Sequence, residues 1–519
     1  MTGAVTRRWW ALGAMALAVL TVTLDVTVLT VALPTLSGAL KASESQLQWF
    51  VTSYTLALVA GMLPAGLIGD RYGRKGLLVG ALVLFAAGSL GCAYAPSPDV
   101  FIAARVVLGL AGAALIVTVL SLLTVLFSKT ERPRAIGIWG AANFVGLPLG
   151  PIVGGWLLTN FWWGWIFLMN VPVALLALVA VLILVPDSRS AERPGIDLLG
   201  VLFSSAGLVA LMYGVVQAGS GGWGSPSAIV PALVGLAVLT GFVFWERWLS
   251  TRPGLQPLVD LRLFRSRSFT WGTICTAFGV FALFGVMFAL PQYFQAILRV
   301  NPQGSGFRLL PLVAGLIIGT VSADRVAGRL GTKLTVALGF AVAAAGCFVG
   351  TGMTATSGDG FMSAWTVVVG AGAGLGFATA ASAALVEVSA DRSGVASALL
   401  QAVIKLGPAF GASILGSLLN STYQAGVRVA SLSPTSAAAV KASVFSGIAV
   451  AQKLGSPALL ASVRTSFVAG VDDAVRFTAG VAVAAVVLAL LFLPSHRRVG
   501  VTDAAAPVAT RVATGGSER

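Results

Sequence analysis

The chain has 519 residues, 57% of them hydrophobic and only 10% charged, with a mean hydropathy of +0.93. That composition leaves too little polar surface to cover a soluble globule, so the chain reads as an integral membrane protein. The net charge of +15 does not point to a nucleic-acid partner: the short loops assigned to the outer side carry only Lys41 and Arg299, while those assigned to the inner side are basic, as the positive-inside rule requires.

Apolar runs of about 18 or more residues predict about fourteen membrane helices. They lie near 10–33, 47–68, 77–95, 101–126, 136–158, 165–185, 197–217, 228–248, 269–297, 306–323, 333–354, 361–387, 394–419 and 474–493. Both termini are expected in the cytoplasm, and the first run is too long for a cleavable signal, so it is expected to stay as an anchor. The layout of six, two and six spans predicts an all-α fold: an N-terminal six-helix bundle at 1–186, a linker with two additional helices at 187–268, a C-terminal six-helix bundle at 269–495 carrying a long extracellular loop at 420–473, and a flexible cytoplasmic tail at 496–519. The stretch from Gly69 to Lys75 is echoed by Ala323 to Arg329, with one extra residue before the second glycine, Gly328. Repeats of this kind place a substrate site between two halves.

Asp25 is the one charged residue in the run from Ala11 to Leu33. An ionisable side chain at that depth costs at least ~2.5 to 3.5 kcal/mol, so it faces water or a partner. With about 1.5 Å of rise per residue, Asp25 lies ~22 Å from the cytoplasmic start of span 1 and Arg105 ~9 Å from the external start of span 4. Both fall in the outer half of the membrane, on spans expected to line a central cavity, which makes them candidates for proton coupling. A purely structural ion pair is the other reading.

At the cytoplasmic end of span 2, Asp70 with Arg71, Arg74 and Lys75 can form a gate that docks on another helix's N-terminus, with Gly73 supplying a tight turn. The same charges would serve topology alone. In span 5, Gly146, Gly150, Gly154 and Gly155 combine with Pro148 and Pro151, small residues beside helix breakers. A bending contact between the two bundles is favoured there over tight packing alone. Lys405, near mid-depth in span 13, can join the coupling, repel cationic substrates, or only satisfy backbone carbonyls. Thr21, Asn143, Gln292, Tyr293 and Gln295 are, with Lys405, the substrate-binding candidates, whereas Trp139 and Phe144 fit packing equally well. Cys92, Cys275 and Cys347 stand singly without metal-site spacing, no phosphate-loop sequence occurs, and no metal site or cofactor is expected.

The stretch GLIGDRYGRK from Gly66 to Lys75 resembles the loop signature of the major facilitator superfamily. RVVLG from Arg105 to Gly109 and GLPLGPIVGG from Gly146 to Gly155 resemble its span 4 arginine motif and its antiporter motif. LDVTVLTVALP from Leu24, WIFLMNVP from Trp165 and PLVDLRLFR from Pro257 are similar to the fourteen-span drug:proton antiporter family of multidrug efflux proteins. The resemblance covers essentially residues 10–495. It implies a non-enzymatic, proton-coupled antiporter of the bacterial plasma membrane that exports amphipathic drugs or antibiotics, cationic ones included, by alternating access. It would be driven by the proton gradient with no cofactor and work as a monomer, its partners being small-molecule substrates, protons and the lipid bilayer. The resemblance also names span 13, starting near Ser393 and Gly394, as the helix that Asp70 meets. The chain departs from the family pattern at Gly164 and Lys405, where arginine is usual, and at Arg308, where an apolar residue is common. An exporter dedicated to one endogenous metabolite or lipid, and a non-transporting membrane sensor, are the alternative readings.

Overall fold

A computed structural model describes residues 2–42, 44–128, 131–188, 197–252, 257–386, 388, 393–430 and 432–494. Lys129, Glu387 and the predicted tail at 496–519 lie outside the described residues. No strand occurs among the described residues, as hydrocarbon demands of an open chain: a helix satisfies every backbone group within itself.

Five long helices open the chain: α1 (Thr2–Leu40), α2 (Glu44–Tyr72), α3 (Arg74–Ala93), α4 (Pro98–Leu126) and α5 (Arg132–Asn160). The sixth span is broken into α6 (Trp165–Leu168) and α7 (Asn170–Leu184). Within this first half α1 packs against α4, α5 and α7, while α4 packs against α2 and α3. Next come a helical hairpin, α8 (Leu198–Gly221) and α9 (Pro226–Ser250), and a short 3-10 helix (Leu261–Arg265). The second half holds α10 (Arg267–Ala296), α11 (Pro302–Arg308), α12 (Leu310–Leu330), α13 (Thr332–Gly350), α14 (Asp359–Leu385) and α15 (Ser393–Gly426). It closes with α16 (Pro434–Ala442), α17 (Val444–Lys453) and α18 (Pro457–Phe492). Here α14 is central, packed on α10, α12 and α13. Among the described residues thirteen helices are long and apolar enough to cross a membrane. Helix α5, where the fifth span is expected, is continuous over 29 residues but is not one of those thirteen.

The halves touch through α2 and α4 on α15, and through α5 on α11, α12 and α14. Helix α8 ties to both: Ser205 Oγ donates to the Ala60 carbonyl of α2 at 2.8 Å, and Ser413 Oγ of α15 donates to the Val215 carbonyl at 2.6 Å.

One expectation is corrected. The segment 420–473, expected as one long loop, is largely helical, because Leu459, Val463, Phe467 and Val471 recur every fourth residue and form a buried apolar face that extends α18 along α15 and α17. Tyr423 ties α15 to α16 by donating to the Val440 carbonyl at 2.7 Å. In the internal repeat, Gly328 stays inside α12. The left-handed turn of the second copy is made by Gly331 at φ 82°, the counterpart of Gly73 at φ 115°.

Candidate functional site

Asp25 is 1% exposed, and its Oδ2 pairs with Nη1 of Arg105 on α4. Its Oδ1 accepts from Asn170 Nδ2 of α7 at 3.3 Å, and that amide lies 3.5 Å from Ser89 Oγ of α3. Arg105 Nε donates to the Phe50 carbonyl of α2 at 3.0 Å, and its guanidinium sits 4.3 Å from the centre of the Tyr54 ring. Five helices thus converge on one desolvated charge pair. Each charge has a counter-charge and a further polar contact, which makes burial of the pair tolerable. The pair is therefore formed, but not where the sequence places it: it faces the interior of the first half instead of a central cavity. The reason is helical phase. At 3.6 residues per turn, the face carrying Asp25 looks away from the face carrying Thr23.

The gate residues form a second cluster. Asp70, 1% exposed, accepts from Arg74 Nη2 at 2.6 Å and from the backbone N–H groups of Gly394 and Val395 at 3.1 and 3.2 Å. Those two amides belong to the first turn of α15, whose N–H groups have no partner within the helix. A carboxylate there also meets the positive end of the helix dipole. Close approach is possible because residue 66 is glycine: a Cβ there would stand 2.8 Å from the Gly394 carbonyl oxygen. Ser121 and Ser393 join hydroxyls at 2.9 Å across the same seam. The backbone N–H of Arg74 donates to the Ser188 carbonyl at 2.9 Å and Lys75 Nζ to the Leu182 carbonyl at 2.9 Å, so these two residues hold the start of α3 to the end of α7 and the chain that follows it. Arg71 lies over the Tyr72 ring.

The glycine face of α5 packs on α1, not between the halves. A Cβ at Gly150 would meet Thr27 Oγ1 at 1.9 Å, one at Gly146 would meet Thr23 at 2.8 Å, and one at Gly154 would meet Val28 at 3.0 Å. Thr27 Oγ1 fills this tight seam by donating to the Gly146 carbonyl at 3.1 Å. Of these four glycines Gly155 looks to the second half, 4.0 Å from Gln303 by the same measure. The expected bending contact between bundles is corrected to close packing inside one half, and the helix runs unbroken through Pro151.

A cavity of about 50 Å³ separates the halves. Thr23 of α1, Trp139 and Asn143 of α5, Phe377 of α14, Val280 and Phe284 of α10, and four residues of α15 (Gln401, Ile404, Lys405 and Pro408) line it. At about 30 Å³ per water it holds one or two waters and no drug-sized molecule in this conformation. Of the substrate-binding candidates, the structure brings Asn143 and Lys405 here. Thr21 is buried and donates to the Ala18 carbonyl at 2.6 Å, Tyr293 donates to the Thr354 carbonyl at 2.6 Å, and neither borders the cavity. Gln292 lines a separate 410 Å³ space under α17, and Gln295 is half-buried on α10 without bordering either. Arg308 does not face the interior, because its guanidinium grips Asp359 at the start of α14 at 2.8 and 2.9 Å.

Thr23, Gln401 and the second sphere of the ion pair (Tyr54, Ser89, Asn170) had no role assigned from sequence. For Thr23 the signal was there, two residues from Asp25 and thus on the opposite side of α1. Gln401, one turn before Lys405, shares its face by the same arithmetic.

The family model described as Major Facilitator Superfamily matches residues 15–412. The chain belongs to that superfamily. It is 31% identical over 501 residues, 96% of each chain, to the multidrug efflux pump LfrA of Mycolicibacterium smegmatis. It is also 31% identical over 416 residues to the tetracenomycin C resistance and export protein of Streptomyces glaucescens, covering 80% of this chain and 76% of that one. Among solved structures it is similar to the superfamily's proton:xylose symporter XylE, with TM-score 0.60 at 15% identity, over 94% of this chain and 96% of that one. The chain is a multi-pass membrane protein with the facilitator fold, and that family and fold mark a transporter of small molecules rather than an enzyme.

Proposed function

We propose that the protein is a proton-coupled antiporter that exports amphipathic drugs or antibiotics across a bacterial plasma membrane by alternating access, as a monomer and without a cofactor. The buried Asp25–Arg105 pair supports this reading most directly. Protonation of Asp25 removes one charge of the pair and frees Arg105. The same helix carries Thr23 and Thr27 against α5, so a shift of α1 that follows the lost pairing reaches the cavity wall. The end of the molecule bearing Asp70 is taken as cytoplasmic, and its contact with α15 as the closed gate of an outward-directed or occluded state. The names of the bacterial relatives support drug export over a sensor role.

The test is direct. Purified protein in liposomes carrying an imposed pH gradient should move protons faster when a transported drug is added, and a drug-sensitive bacterium expressing the chain should gain resistance. Proton flux indifferent to every drug that the resistance profile selects would remove the antiport reading.

A further inference from the structure

The central cavity is bordered by donors. Trp139 and Gln401 are 2% and 1% exposed, and the indole Nε1 of the first and the amide Nε2 of the second have no hydrogen-bond partner among the described residues. Both residues line the cavity, next to Lys405, a third donor and the one ionisable side chain among the described residues of its wall. Acceptors are scarce there. The Asn143 carbonyl oxygen already takes the Thr23 hydroxyl at 3.4 Å, while its amide is spent on the Trp139 carbonyl at 3.2 Å. Among the described residues no Asp or Glu lines the cavity, and Asp25 is turned away and paired with Arg105. Buried donors in native proteins are nearly always met, and an amine in an apolar wall seeks a counter-charge.

We infer that this cavity recognises an anionic, acceptor-rich group, a carboxylate or phenolate carried on an aromatic molecule, with Lys405 as counter-charge and Gln401 and Trp139 as hydrogen-bond donors. Phe284, Phe377 and Pro408 supply the apolar faces against which the ring lies. The inference rests on the export reading above but narrows it: substrates are acidic or neutral aromatics, and cationic drugs are disfavoured at this site. In the conformation described, 50 Å³ admits only the anionic group's share of water, so the whole ligand enters when the halves part.

Two xanthene dyes with the same ring system and opposite charge test it: fluorescein, anionic through carboxylate and phenolate, and rhodamine 6G, cationic. Binding is measured by fluorescence anisotropy on the full-length protein in detergent at pH 7.4. The wild type should hold fluorescein about tenfold or more tighter than rhodamine 6G. Lys405→Gln should cost fluorescein about tenfold, in the range for removing one charged hydrogen-bond partner, and change rhodamine 6G less than about twofold. Lys405→Glu should reverse the preference, and Lys405→Arg should keep it. Gln401→Leu, which leaves the amine in place, should weaken fluorescein alone, and it carries the test if the charge variants elute as aggregates. Equal or reversed preference in the wild type, no binding of either dye, or a dye ratio unmoved by both Lys405→Gln and Gln401→Leu overturns the inference. The failure of export is read separately, in liposomes: a dye that binds with the expected preference but is not moved by a pH gradient removes the antiporter and leaves the site.

Discussion

Thr23 and Asp25 stand two residues apart on α1 and face different compartments. The Thr23 hydroxyl reaches Asn143 in the wall of the central cavity, whereas Asp25 is locked to Arg105 and Asn170 inside the first half. One helix therefore presents a cavity wall on one face and a titratable charge on another. In the antiporter proposed above, coupling between proton and substrate would not need a shared site, because a rigid helix transmits a shift from one face to the other.

Asp25→Asn keeps the shape of the side chain and removes its titration. Efflux driven by a pH gradient should fall to background, while substrate exchange without a gradient persists. Because Arg105 is left buried without its counter-charge, the melting temperature should also drop, the broken pair costing up to ~3 to 5 kcal/mol. Undiminished gradient-driven efflux would remove Asp25 from the coupling.

Arg105 makes three contacts, to Asp25, to the Phe50 carbonyl and to the Tyr54 ring. Arg105→Ala loses all of them and should abolish transport. Arg105→Lys retains the charge but not the planar fork, and should restore a fraction of the activity with an altered pH profile. Wild-type pH profiles in Arg105→Lys and in any active Arg105→Ala protein would reduce the pair to a structural contact.

Asp70 ties α2 to the first turn of α15. In Asp70→Asn the carboxylate's charge is gone, and a coupling of ~1 to 3 kcal/mol changes a two-state ratio by roughly 5 to 150-fold. The population should move toward states open at that end, and transport should slow. A spin-label distance between Ser128 and Lys333 reads the opening. Slowed transport with no longer distance would assign Asp70 to folding instead.

Gly150 has no room for a methyl group, since its Cβ would fall 1.9 Å from Thr27 Oγ1. Gly150→Ala should destabilise the protein by about 1 to 3 kcal/mol, as overpacking does. Thr27→Ala removes the obstructing hydroxyl but keeps a Cβ 2.5 Å from the added methyl, so the double variant should regain part of the loss and be more stable than the sum of the single effects predicts, a coupling that thermal melts of the four proteins measure. Strict additivity would show that the two helices separate without cost.

The sequence by itself determined the class of molecule, most of the helical spans and several of the residues that had to be special. Apolar runs near membrane length, a lone aspartate in one of them and a GDRYGR turn are local facts, and hydrocarbon allows few responses to them: a helix must form, and a buried charge must find a partner. The chemistry of Asp70 asks only for some helix's free amides, and it was the resemblance that named span 13 as that helix.

What only the tertiary structure decided is which face of each helix meets which neighbour. Asp25 looks inward, Gly146, Gly150 and Gly154 of α5 pack on α1, Tyr293 leaves the cavity for the Thr354 carbonyl, and Gln401 enters it. In a span that is apolar on nearly every side, hydrophobic periodicity carries little information about rotation, since lipid and helix interior are equally apolar. The rotation is fixed instead by small residues that permit contact and by polar groups that must find each other, and both depend on helices far apart in the chain.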